Sequence, residues 1–118
     1  MRRLTAKAAA KRFDLFNRWY FEGKLKRPPI RILPAGRAGT LINRCSDWAA
    51  IGDDEDGKLL IEIRATTKDV DLSFLYASIL HEMVHLSIGW DTSHDHRSKV
   101  WNAEVKRLSL AGALKEVL

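Results

Sequence analysis

An apolar stripe at helical spacing runs through residues 72–88 and is the feature that most constrains how this chain can fold. Its members recur three and four residues apart, as on one face of an α-helix: Leu72, Leu75, Tyr76, Ile79, Leu80 and Met83. Asp71 can cap the start of this helix and Gly89 marks its end. One face of the helix therefore packs into a core, and the other face can line a cleft.

Two further helices are predicted, one at each end of the chain. Residues 5–22 show helical spacing, with Thr5 as the N-cap and Gly23 as the stop. The last helix begins after Ser98 and ends or kinks at Gly112. Its predicted inward-facing residues are Val100, Trp101, Val105, Leu108 and Leu110.

Three segments between the helices are strand candidates, namely Ile30–Leu33, Thr40–Cys45 and Leu59–Arg64. The acidic turn over residues 53–57 ends in Asp-Gly, which favours an antiparallel connection between the strands on either side. The predicted fold is one α+β domain over residues 1–118. It consists of an N-terminal helix, a small antiparallel sheet of about three strands, the helix over 72–88 and a C-terminal helix.

The composition excludes several classes of protein. Cys45 is the single cysteine, so the chain has no internal disulfide and no Cys-x-x-Cys zinc ribbon. No signal-peptide apolar region follows the basic residues 1–7, and no apolar run could span a bilayer, so a cytoplasmic location without a membrane partner is expected. The net charge of +5 has two interpretations, a polyanion partner such as DNA or an ordinary solvated basic surface.

The segment His81-Glu82-Met83-Val84-His85 lies in the middle of the helix over 72–88. The two histidines are four residues apart and share a helical face, so both imidazoles can converge on one zinc ion. Glu82 is rotated by about 100° from His81 and can hold and deprotonate the attacking water as the general base. The pattern predicts a zinc metallopeptidase with one Zn²⁺ per chain. It fixes only three positions, and the competing interpretation is a chance match on a solvated helix face.

A catalytic zinc ion usually has three protein ligands, so one more must come from outside the motif. The candidates are His94 and His96, which follow Gly89, and Glu104 in the last helix. Spacing alone does not choose among them. All four histidines of the chain lie within residues 81–96, and a purely structural cause for that clustering is hard to name.

Three blocks of the sequence resemble the SprT-like metallopeptidase domain of the SprT/Spartan family. The first block is residues 15–25, the second joins residues 42–46 to the strand at 60–63, and the third joins the HExxH segment to residues 96–101. Together they cover roughly residues 10–110. The resemblance implies a zincin-like minimal metalloprotease domain in which His96 is the third zinc ligand.

The sequence departs from the family's pattern in two places. Arg97 stands after His96 where the family has glycine, and Trp101 comes five residues after His96 instead of four. His94 therefore stays an alternative third ligand, and Glu104 ranks behind both. Many relatives also carry a C-terminal zinc ribbon, which this minimal form is expected to lack.

The resemblance implies a zinc-dependent metalloendopeptidase that acts on protein or peptide substrates, including proteins bound or crosslinked to DNA. DNA would bind through the basic surface, with Trp48 and Trp90 as candidates for base stacking. The peptide is expected to lie as an extended strand against a sheet edge. The alternative is a non-catalytic SprT-like module that binds DNA or protein and contains a structural zinc; the presence of Glu82 argues against it. A second rival is an enzyme of similar fold with a non-protein substrate.

Overall fold

The structure is a computed structural model that describes residues 5–33, 39, 41, 49–64, 72–89 and 98–112, with the backbone alone for 72–75. A helix is followed by three short strands and then by two helices, and this segregated order is expected for an α+β fold. In chain order they are α1 (Ala6–Tyr20), β1 (Ile30–Leu33), β2 (Ala49–Asp53), β3 (Leu59–Arg64), α2 (Leu72–Ile88) and α3 (Lys99–Leu110). None of the helices in these ranges has the length and hydropathy that crossing a membrane requires.

Helix α1 begins where its sequence predicts and ends slightly earlier. The Thr5 side chain accepts a hydrogen bond from the Ala8 N–H at 3.1 Å, which confirms the predicted N-cap. The helix ends at Tyr20, and the Gly23 N–H donates to the Asn17 carbonyl at 2.9 Å. Gly23 has a positive φ of 72°, so glycine suits the turn that closes this helix end.

The sheet formed by the described strands is mixed, so the prediction of an antiparallel sheet is wrong for one of its two pairings. Strand β3 lies in the centre, with β1 parallel to it and β2 antiparallel to it. A parallel pair needs a long crossover, and the chain between Leu33 and Leu59 supplies one. That crossover contains β2, which pairs with the other edge of β3.

A tight turn joins β2 to β3, which confirms an antiparallel connection at the Asp-Gly turn. Asp54 Oδ1 accepts hydrogen bonds from the N–H groups of Asp56 and Lys58, both at 2.9 Å. Gly57 has a φ of 76°, as the turn requires. The strand before the turn is Ala49–Asp53, which the sequence pattern did not predict. The predicted strand at 40–45 lies outside the described residues except for Leu41, which is not in a strand.

The core lies between the sheet and helices α1 and α2, and α3 extends it by packing on α2. Its buried side chains come from five elements, namely Ala9, Phe13, Phe16, Ile51, Ile61, Ile63, Ile79, Leu80, Met83, Val84, Trp101 and Leu108. Ser98 caps α3 as predicted, accepting from the Trp101 N–H at 3.2 Å. The predictions for Val100 and Leu110 are wrong, because these side chains are 58% and 81% exposed. Helix α3 is rotated so that Trp101 and Leu108 face the core.

Candidate active site

Helix α2 places the two motif histidines side by side. The Nε2 atoms of His81 and His85 lie 3.3 Å apart. Two nitrogen ligands of a tetrahedral zinc ion lie about 3.3–3.4 Å apart when each Zn–N bond is about 2.0–2.1 Å. The separation also suits a hydrogen bond between the rings, and binding a cation requires both Nε2 atoms to be deprotonated. The pair therefore has the spacing that a shared zinc ion needs.

Glu82 directly follows His81 in α2 and lies in a water-poor environment. Its residue is only 5% exposed, and burial raises the pKa of its carboxyl to about 8. The cause is desolvation, which disfavours the charged carboxylate. A cation within a few ångströms would favour the carboxylate instead. Glu82 therefore has the environment of a base whose ionisation responds to a neighbouring positive charge.

The indole of Trp101, in α3, packs against both imidazoles. The centroid of its ring system lies 4.9 Å from that of His81 and 4.6 Å from that of His85. The two imidazoles themselves lie 4.9 Å apart at an interplanar angle of 70°. His85 is buried and His81 is half-buried. The sequence pattern placed Trp101 in the core, and the structure adds that this part of the core contacts the histidine pair.

Of the three candidates for the third zinc ligand, the structure describes only Glu104. His94 and His96 both lie outside the described residues. Within the described part of the chain, no three His, Cys, Asp or Glu side chains form a group that could hold a metal ion. The described site thus consists of two nitrogen donors and one neighbouring carboxyl group.

Glu104 has its carboxylate directed to other partners. Its Oε2 accepts a hydrogen bond from Ser87 Oγ at 2.6 Å, and its Oε1 accepts one from Arg107 Nε. Glu104 and Ser87 line a cavity of about 300 Å³ with the residues at the end of α1. In the described geometry Glu104 is therefore bonded to Ser87 and Arg107, and it forms no metal-holding group with His81 and His85.

The sequence pattern did not predict a role for a buried carboxylate in the central strand. Glu62 is 0% exposed and accepts hydrogen bonds from Arg31 Nη1 at 3.2 Å and from the Leu41 N–H at 2.5 Å. Gly39 approaches so closely that a Cβ there would lie 2.6 Å from Glu62 Oε2. Glu62 thus anchors the chain after β1 to β3. The available signal was a charged residue at the centre of the apolar strand Leu59–Arg64.

The remaining residues with a predicted role divide into two groups. Tyr76 is half-buried, and the Arg12 guanidinium lies 4.1 Å from its ring centroid. It packs against α1, in agreement with its place on the apolar stripe. Trp48 and Trp90, the candidates for base stacking, lie outside the described residues.

No protein-family model matches the chain, and no curated protein or solved structure matches it. The resemblance to the SprT-like domain therefore depends on the sequence blocks of this chain alone. The chemistry of the site has to be inferred from its own geometry.

Proposed function

We propose that the chain is a zinc-dependent metalloendopeptidase whose active site lies on α2. The observation that carries the proposal is the 3.3 Å separation of the His81 and His85 Nε2 atoms, on the helix that also carries the buried Glu82. Neutral imidazole is a preferred zinc ligand, and the spacing matches one edge of a tetrahedral site. We also propose that the fold is a zincin-like domain. Its order of elements supports this, with a helix, a small sheet, the HExxH helix and a last helix.

The residues fit a zinc ion with one additional protein ligand. His81 and His85 would supply two nitrogens, and we propose His96 as the third ligand, with His94 as its alternative. When bound, zinc would lower the pKa of a water molecule and polarise the scissile carbonyl of the peptide. Three protein ligands would leave the fourth position open for this chemistry.

Glu82 would act as the general base and then as the general acid. Its carboxylate accepts a proton from the attacking water and returns a proton to the nitrogen of the leaving amine. Burial serves this role because a carboxyl whose pKa lies close to neutral pH can both accept and release a proton. Protein or peptide chains are the substrates that this chemistry fits, including proteins bound or crosslinked to DNA.

Metal analysis and one substitution test the proposal together. The purified chain should contain about one zinc per molecule, and Glu82→Gln should keep that zinc while losing peptide hydrolysis. A chain that stays metal-free in the presence of added zinc contradicts the proposed site. Equal hydrolysis by Glu82→Gln and the natural chain would remove Glu82 as the base.

The third ligand is tested by comparing two single variants. His96→Ala should lose zinc and hydrolysis, while His94→Ala should keep both. The opposite result assigns the ligand to His94. Retention of zinc by both variants would contradict a histidine third ligand.

The second candidate function is a non-catalytic module with a structural zinc. A structural site usually has four protein ligands and no need of a neighbouring carboxyl group. The buried Glu82 favours the enzyme, because burying a carboxyl group costs stability and such costs are concentrated at functional sites. Zinc binding without hydrolysis of any tested peptide or protein, in the natural chain and in Glu82→Gln alike, would favour the module.

We also propose that the outer face of α1 contacts single-stranded DNA. Lys7, Lys11 and Arg18 lie on one exposed stripe of this helix, about 16 Å long at 1.5 Å per residue. Among the described residues none of the three takes part in an ion pair. Trp19 lies beside the stripe and is 49% exposed, although its ring contacts Phe16. Cations that follow a backbone beside an aromatic ring available for stacking are typical of single-strand binding.

Fluorescence anisotropy with a labelled single-stranded oligonucleotide tests this surface. Trp19→Ala should weaken binding roughly tenfold, because stacking contributes about 1–3 kcal/mol per base. Replacing Lys7, Lys11 and Arg18 by alanine should lower the slope of log K against log salt by about 2.

A charge-matched control separates this surface from net charge alone. Lys58, Lys99 and Lys106 are exposed cations on the β2–β3 turn and on α3. Their triple alanine variant removes the same charge and should change the affinity much less. Equal losses in the two triple variants would contradict a specific surface on α1.

A further inference from the structure

The contact between Trp101 and the histidine pair has a consequence for metal binding. The indole lies against both imidazoles at once, with centroid separations of 4.9 Å to His81 and 4.6 Å to His85. It is 9% exposed and belongs to the buried core cluster. One side chain from α3 therefore restricts two side chains on α2.

Orientation decides whether a histidine can bind a metal ion. The torsion that rotates an imidazole about its Cβ–Cγ bond has a broad energy minimum, so the ring needs a neighbour to fix its plane. Partners that hydrogen-bond to a ligand histidine fix its ring orientation and commonly raise metal affinity 10–100-fold, and a packed ring that restricts the same rotation acts on the same orientation. Trp101 contacts both rings while their Nε2 atoms lie 3.3 Å apart, the separation that a shared ion requires.

Several hydrogen bonds fix the position of helix α3, which carries Trp101. The backbone N–H of Trp101 donates to the Ser98 hydroxyl at the start of α3. Further along the same helix, Glu104 accepts from Ser87 of α2 at 2.6 Å. The Arg107 Nη1 donates to the Tyr20 carbonyl at the end of α1, at 2.7 Å. Helix α3 is thus attached to both other helices, and the indole is held by a fixed element.

We propose that Trp101 is a positioning residue that holds His81 and His85 in the orientation needed to bind zinc. The inference rests on the proposed zinc site and assigns it a component outside the HExxH motif. Trp101 acts through the two ligands and does not itself contact the ion or the substrate.

Titration with Co²⁺ tests the proposal, because its absorption bands report the geometry of the bound ion as well as the affinity. Trp101→Ala should bind Co²⁺ 10–100-fold more weakly than the natural chain and with an altered spectrum. Trp101→Phe keeps an aromatic face against the imidazoles and should bind within about threefold of the natural chain. Competition with Zn²⁺ should reproduce this order.

A matched control separates positioning from general stability. Leu108 lies two helical turns beyond Trp101 on the same face of α3 and is equally part of the core. Leu108→Ala should lower the thermal unfolding midpoint while leaving the Co²⁺ affinity and spectrum unchanged. If Trp101→Ala does not fold, Trp101→Leu replaces it, since leucine retains apolar contact without an aromatic face.

The possible failures can be told apart. If the natural chain binds neither Co²⁺ nor Zn²⁺, the proposed zinc site fails, and the role of Trp101 fails with it. If the natural chain binds the ion and His85→Ala does not, the site stands. Unchanged affinity and spectrum in Trp101→Ala, or equal losses in Trp101→Ala and Leu108→Ala, would then overturn the positioning role alone.

Discussion

The buried carboxyl of Glu82 should make the metal-free chain less stable as the pH rises, and Glu82→Gln should remove that dependence. Burial raises the pKa of Glu82 to about 8 in the folded chain, whereas an exposed glutamate titrates near 4.5. Between these two values the folded chain retains a proton that the unfolded chain releases. Stability is therefore lost as the pH rises from about 4.5 to about 8.

The magnitude follows from the two pKa values. Retaining the proton in the folded state costs about 1 kcal/mol of unfolding free energy at pH 5 and about 3 kcal/mol at pH 7. Glutamine has nearly the same shape and does not titrate. The stability of Glu82→Gln relative to the natural chain should thus increase by about 2 kcal/mol between these pH values.

Urea unfolding in the presence of a chelator, repeated from pH 5 to pH 8, measures this difference. Glu55→Gln removes an exposed carboxylate from the β2–β3 turn and serves as the control for the loss of one negative charge. Saturating zinc should shrink the pH-dependent difference, because a nearby cation favours the ionised form of Glu82. A constant difference between Glu82→Gln and the natural chain across the range would refute the desolvation of this carboxyl.

Three further substitutions test contacts that hold the fold. Gly39→Ala should destabilise the chain by about 1–3 kcal/mol in urea unfolding, because the new Cβ would lie 2.6 Å from a carboxylate oxygen of Glu62; an unchanged midpoint contradicts this close approach. Asp54→Ala should cost about 1 kcal/mol, because its side chain accepts two backbone hydrogen bonds in the β2–β3 turn. Asn17→Ala should cost about 2 kcal/mol, because its amide bonds both the N–H and the carbonyl of Leu25; hydrogen exchange at the Leu25 amide should accelerate in this variant and stay unchanged if the contact is absent.

Elements with a strong local signal were predictable from the sequence. Helix α2 spans Leu72–Ile88 as its apolar stripe indicated, and β1 and β3 have their predicted bounds. Thr5 and Ser98 cap helices as expected, because a cap depends on one side chain and the N–H groups of the next turn.

Features that depend on distant partners were not predictable in this way. Strand β2 consists of Ala49-Ala50-Ile51-Gly52-Asp53, whose alanines, glycine and aspartate have little intrinsic preference for a strand. It is extended because it pairs with β3 along its length. The parallel pairing of β1 with β3 likewise depends on the path of the crossover, which no local pattern encodes.

The candidate site likewise combines features set within one helix and features set by distant partners. The four-residue spacing of His81 and His85 lies within one helix, so the sequence was enough to predict that the rings share a face. The contact of Trp101 with that face depends on how α3 is rotated against α2. The same rotation decides the partners of Glu104, which spacing had left open as a ligand.

The rotation of α3 also narrows the choice of a third ligand. Glu104 follows Trp101 by three residues, so the two lie on neighbouring parts of one helix face, but the carboxylate of Glu104 bonds Ser87 and Arg107 while the indole contacts the histidines. We therefore propose a donor from the chain that joins α2 to α3. His94 and His96 are the histidines in that segment, so we expect the completed site to consist of three imidazoles.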